Sequence, residues 1–273
     1  AGTNTSSLAF GGESTANTAA TEEWNAGINL GAWYTGGSLN TARSDGIGGA
    51  GTRDAALAFG GYATTVQTAA TELYNGSSWA EVNDLNTARF GIAGGGTQTS
   101  ALGFGGGPGP VTAATESWNG YTWTEVNDLN TARNTLGGFG LQPAAIAFGG
   151  ATSPKQQTEL WNGSSWTEVN DLNTGRANSG SDGTTTSGLA FGGNDATNVA
   201  NTEAWDGTNW TEVADLSSAV TVNGGAGASS SSALSFGGSG VTAATEEWSF
   251  PAITETTLNE GDMWFNSSSS TLK

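Results

Sequence analysis

One segment recurs along this chain, and its recurrence limits the possible folds more than any single residue does. Thr115 to Arg133 reads TESWNGYTWTEVNDLNTAR. Close copies run from Thr71 to Arg89 (TELYNGSSWAEVNDLNTAR), from Thr158 to Arg176 (TELWNGSSWTEVNDLNTGR) and from Thr202 to Val220 (TEAWDGTNWTEVADLSSAV), with weaker ones starting at Thr21 and Thr245. Before each copy stands an apolar run ending in Phe-Gly-Gly, with Phe10, Phe59, Phe104, Phe148, Phe191 and Phe236 at the matching place. These Phe positions step by 49, 45, 44, 43 and 45 residues, and joining the two ends of the chain gives a sixth step of 47. A unit of that size cannot bury its apolar face alone and must stack on its own copies.

Each unit reads as four strands. The Gly-rich run after the Arg, such as NTLGGFG from Asn134, is strand A, and its small residues suit a strand crowded against copies of itself near a central axis. Strand B, AAIAFGG, alternates in size, so Ile146 and Phe148 point to one face and Ala147 to the other. Such a sheet stacks bulky side into small side. TELW and SSWTEV form strands C and D, joined by Asn162-Gly163, a dipeptide suited to the positive φ angles of a two-residue hairpin. Four antiparallel strands in each of six radial repeats predict an all-β, six-bladed β-propeller.

Composition excludes several chemistries. The chain has no Cys and no His, which removes disulfides, thiolate and imidazole catalysis and the usual zinc or copper sites. Its net charge of -18 disfavours nucleic acid as a partner, because binding polyanions depends on Lys and Arg. No apolar run is long enough to insert into a membrane.

The Gly-Gly that closes strand B, the aromatic of strand C, the Trp of strand D and the Arg before strand A stand in the order of kelch repeats, and the chain resembles that galactose-oxidase type of propeller along nearly its whole length. It departs from the catalytic members, whose copper ligands and cross-linked cofactor need His, Tyr and Cys. The resemblance therefore implies no cofactor and no metal here. The wording TATE-x-W-N-G-x-x-W-x-E-V-N-D-L-N-T-A-R is also similar to kelch-like repeats in marine bacteriophage virion proteins. That similarity implies a tail-fibre or other surface location on the virion, or else an extracellular or cell-surface one. Its implied partners are other virion or fibre proteins and a host-surface ligand such as a glycan.

The first and last units are incomplete. AGTNTSSLAFGG aligns with AGTRDAALAFGG from Ala50, so the chain starts inside a strand A, whereas Trp248 has no Trp five residues on. We expect residues 1–258 to form the propeller and 259–273 a strand or hairpin extension. Either Ala252 to Leu258 or Met263 to Phe265 supplies the last outer strand. The extension closes its own ring, or it completes a neighbour's and so builds a homo-oligomer, because an unpaired strand edge is a template.

Candidate sites divide into those that repeat and those that do not. Arg43, Arg89, Arg133 and Arg176 occur once per unit, as do Glu72, Glu116, Glu159 and Glu203, a stoichiometry that fits structural pairing between blades better than a ligand-binding ring. Asp84, Asp128, Asp171 and Asp215 each stand alone in their turns, which favours turn chemistry over calcium. The acids outside the pattern, Asp182 among them, form no recognisable pair for glycoside hydrolysis, so the chain reads as non-enzymatic. The loops between strands B and C differ in every unit, and loops that vary on a constant scaffold are where recognition resides. On them Tyr62, Lys155, Gln156, Gln157, Asp195 and Asn198 are the candidate ligand contacts. A structural subunit assembled by strand exchange is the alternative function, and a glycosidase the third.

Overall fold

The computed structural model describes residues 2–3, 6–10, 18–25, 32–107, 110–221, 224–239, 245–249, 265–266 and 271–272. Among them the chain is an all-β propeller without helices, built of antiparallel meanders whose strands A to D pair in chain order. The first blade holds Gly2–Thr3, Ser6–Phe10, Thr21–Asn25 and Ala32–Thr35. The second holds Gly48–Thr52, Ala55–Phe59, Thr71–Tyr74 and Trp79–Glu81. Ala93–Thr97, Ser100–Phe104, Thr115–Trp118 and Trp123–Val126 make the third. The fourth comprises Gly137–Leu141, Ala144–Phe148, Thr158–Trp161 and Trp166–Glu168. In the fifth are Gly180–Thr184, Ser187–Phe191, Thr202–Trp205 and Trp210–Glu212.

A further sheet has three strands, Gly224–Ser229, Ser232–Phe236 and Thr245–Ser249. Among the described residues the expected six four-stranded blades are thus corrected to five complete ones. The reason lies at the seam, where the sequence after Trp248 abandons the hairpin that supplies strand D elsewhere. Of the two segments expected there, Ala252 to Leu258 lies outside the described residues. Phe265–Asn266 pairs with Thr271–Leu272 in a separate short hairpin.

The innermost strands adjoin one another in sequence from the second blade to the last sheet, and Gly2–Thr3 lies beside both Gly224–Ser229 and Gly48–Thr52. Glycine is needed here for close approach. A Cβ on Gly94 would come within 2.4 Å of the Phe59 ring of the preceding blade, and one on Gly138 within 2.5 Å of Phe104.

Blades stack bulky side to small side. Ile146 and Phe148 pack toward the fifth blade, against Ala190 and Trp210, while Ala145 and Ala147 join the cluster shared with the third. Four strand-B Phe residues meet the strand-D Trp of the following blade edge-on: Phe10 with Trp79, Phe59 with Trp123, Phe104 with Trp166 and Phe148 with Trp210, at 4.8 to 5.1 Å between centroids. Edge-to-face pairs at this distance add to the value of the buried area.

The C-to-D hairpin is shifted one residue from its expected position. Asn162 pairs with Ser165, so Gly163 and Ser164 are the central residues, and only Gly163 has positive φ, at 92°. Glycine at the first central position belongs to a type II′ turn. Asn162 instead caps the turn, its Oδ1 accepting the amides of Ser164 and Ser165 at 2.9 Å.

Candidate functional site

The Arg and Glu that repeat form latches between a linker and the blade it enters. Arg89 Nη2 donates to Glu116 Oε1 at 2.8 Å, Arg43 to Glu72 at 3.0 Å and Arg133 to Glu159 at 2.9 Å, and Arg176 pairs with Glu203 in the same way. All eight residues are buried. Nη1 of each Arg donates to two backbone carbonyls of the blade ahead, Gly105 and Ala114 in the case of Arg89. The second carboxylate oxygen is also used: Glu116 Oε2 accepts the amide and the side chain of Asn86, both at 2.7 Å. Asn40, Asn130 and Asn173 repeat that contact with Glu72, Glu159 and Glu203. Burial lowers the pKa of Arg43, Arg89 and Arg133, and the facing carboxylates oppose it. Both oxygens of these four carboxylates are thus engaged within the fold, whereas Nε of Arg43, Arg89 and Arg133 is buried without a partner.

At the seam the latch fails for a legible reason. Val220 stands where Arg would, and Glu246 Oε2 accepts the Ser217 amide at 2.9 Å. In the first blade Glu22 is exposed and Glu23 is buried, its Oε1 accepting the Tyr74 hydroxyl at 2.6 Å.

The turn aspartates are occupied too. Oδ1 of Asp84, Asp128, Asp171 and Asp215 accepts the amide of Thr71, Thr115, Thr158 and Thr202, at 3.0 to 3.2 Å. Each ties the end of a blade back to the start of its strand C. Among the described residues no three acidic side chains converge as a metal ion would require.

The variable B-to-C loops lie beside the D-to-A linkers, bridged by backbone pairs such as Ser44 with Tyr62 and Ala177 with Asn194. Between the loops of the fourth and fifth blades lies an open cleft of about 230 Å³, lined by Ser153, Pro154, Lys155, Gln156, Gly175 and Asp195. Lys155 Nζ donates to Asp195 Oδ1 at 2.9 Å and so joins the two blades, with both groups partly open to solvent. Ammonium, carboxylate, amide and hydroxyl together present donors and acceptors to a polar, hydroxylated ligand.

Three of the six candidate contacts, Lys155, Gln156 and Asp195, come together in this cleft. Gln157 neighbours it but serves the scaffold: its carbonyl accepts Arg133 Nη1 and its Oε1 is buried without a partner. Asn198 reaches away to Ser239 Oγ at 3.1 Å. Tyr62 belongs to the second blade, where its ring lies edge-on to Phe90 at 5.7 Å and its hydroxyl donates to the Thr65 carbonyl.

Gly175 forms part of the cleft lining and was not among the candidates. A Cβ there would lie 2.9 Å from Gln156 Cδ and 3.0 Å from Lys155 Cβ. The signal was present in the sequence, since NTGR replaces the NTAR of the other copies only in this unit.

Asp182 stands apart, on the inner strand of the fifth blade. Its Oδ2 accepts the Gly227 amide of the next sheet at 2.8 Å and its Oδ1 the neighbouring Gly183 amide at 2.6 Å. Burial raises its pKa to about 7, against the pull of those amides.

No protein-family model and no curated protein matches the chain.

Proposed function

We propose that this chain is a non-enzymatic, kelch-like propeller of six blades, carried on a virion or cell surface, that recognises a polar host-surface ligand such as a glycan. A phage tail fibre is the setting its repeats resemble. The observation that carries the reading is the cleft between the fourth and fifth blades. Its walls come from loops that do not repeat, and a cross-blade pair, Lys155 with Asp195, fixes their spacing. Conserving one scaffold while changing its loops is how a propeller is fitted to a ligand. A sixth, incomplete blade beside the five complete ones is supported by the six Phe-Gly-Gly units and by the adjacency of Gly2–Thr3 to the inner strands on both sides.

The test is binding of the purified chain to a printed glycan array. Selective binding that disappears in Lys155→Ala and Asp195→Ala, while melting stays unchanged, supports the reading. Binding that both variants retain removes the cleft from it.

A second reading, a structural subunit assembled by strand exchange, is favoured by one observation. Among the described residues Thr245–Ser249 has a strand neighbour on one side only. Light scattering separates the two, since strand exchange requires an oligomer.

A further inference from the structure

Among the described residues, the cleft between the fourth and fifth blades carries the one solvent-open cation of its face. The chain has seven basic side chains against a net charge of -18. Arg43, Arg89, Arg133 and Arg176 are buried in their latches. Arg53 is held by Asp54 at 2.7 Å on the A-to-B turn of the second blade, which a meander places on the face opposite the B-to-C loops. On the cleft's own face stands Lys155, its side chain 29% exposed beside an Asp195 that is 53% exposed, so a ligand can reach both.

Each partner keeps hydrogen-bonding capacity that no described residue uses. Lys155 Nζ has three hydrogens and gives one to Asp195 Oδ1 at 2.9 Å, while Asp195 Oδ2 accepts from none of the described residues. Adjacent hydroxyls of a sugar ring stand about as far apart as Nζ and Oδ1 do, and each hydroxyl both accepts and donates. One can therefore accept from Nζ while its neighbour donates to Oδ2, with the Gln156 amide beside them in the lining. Among the described residues no aromatic ring lines the cleft, so recognition falls to the hydroxyl edge of a sugar and not to its apolar face.

We propose that this cleft takes neutral sugars by a vicinal diol held between Lys155 Nζ and Asp195 Oδ2, and that Asp195 excludes sugars bearing carboxylate or sulfate. The inference rests on the glycan-binding reading above and adds the class of glycan. A ligand carboxylate at Nζ would stand next to Asp195, where like charges repel, whereas the attraction of the ammonium is already shared with Asp195. The acidic body of the chain acts in the same direction. Neutralising Asp195 reverses the preference, because Lys155 then presents an ammonium without its counter-charge.

The test is calorimetric titration of the full chain with the methyl glycosides of glucose, galactose and mannose and with those of their uronic acids. The wild type is expected to bind at least one neutral glycoside about tenfold or more tighter than its uronate, with an affinity for the neutral form that added salt leaves unchanged. Asp195→Asn is expected to weaken that neutral glycoside and to strengthen the uronate, the gain fading as salt is raised. A gain of binding cannot come from a cleft that has failed to fold. A wild type that prefers the uronate, or a neutral-to-uronate ratio that Asp195→Asn leaves unchanged, overturns the proposal. If a uronate preference disappears in Lys155→Ala, the glycan reading stands and the class assigned here falls. If neither class binds, this proposal falls, and the glycan array decides the broader reading separately.

Discussion

The indole Nε1 of Trp123 donates to the Thr71 hydroxyl across 3.0 Å, although the two residues belong to different blades. The ring also meets Phe59 of that earlier blade edge-on, at 4.8 Å. One side chain thus supplies both the apolar fill and the polar tie of an interface. Replacing Thr71 by Val should cost about 1–3 kcal/mol, because it leaves the buried indole N–H without an acceptor. Trp123→Ala should cost about 3–5 kcal/mol, because it also opens a cavity. Urea denaturation of the two variants measures the ratio.

The Arg133–Glu159 latch predicts a different pattern. Both side chains are withdrawn from solvent, so Glu159→Leu alone leaves a buried guanidinium without its anion and should cost about 3–5 kcal/mol. The double variant Arg133→Met with Glu159→Leu removes the orphaned charge and should be less destabilised than either single change. A double-mutant cycle by chemical denaturation reads this directly.

These ties were legible in the sequence to different degrees. Six Phe-Gly-Gly runs and the five-residue spacing of Trp118 and Trp123 are local patterns, and they carried the strand order. The partner of each Arg could be guessed from stoichiometry. The contact of Asn86 with Glu116 Oε2 could not, because it depends on how a linker crosses the next blade. Glu22 and Glu23 illustrate the same limit: adjacent and identical in type, they differ in burial, and only the fold shows that the Tyr74 hydroxyl of the next blade donates to Glu23. At the candidate site the sequence located the variable loops, but not which of them meet. Tyr62 and Lys155 looked alike on paper and lie on different blades.

Asp182 predicts a pH dependence. Burial raises its carboxyl from 3.8 to about 7 in the fold. An acid raised in this way favours folding fully below its unfolded pKa, and the advantage fades as pH rises from there through about 7. Asp182→Asn, which mimics the neutral acid, should therefore melt like the wild type near pH 3 and above it near pH 8, where ~ one charge separates the two proteins. Melting curves across that range test the sign.

Thr135 has φ of 52°, a region where a β-branched residue is strained, yet its amide donates to the Gly91 carbonyl of the neighbouring blade at 2.8 Å. Asn178 holds the corresponding place one blade on with φ of 54°. Asn is better tolerated there, so Thr135→Asn should stabilise the chain by about 1 kcal/mol. A rise in melting temperature checks it.

The central claim is that the repeat holds the propeller together and that departures from it create the recognition cleft. Gly175→Ala tests that claim most directly, because it restores the residue of the other copies while placing a methyl group against Lys155 and Gln156. Under the proposed function, binding to a glycan ligand should weaken by about tenfold or more, the effect of roughly 1.4 kcal/mol, with the melting temperature unchanged. Binding equal to wild type in a variant whose cleft carries that methyl group would contradict the account.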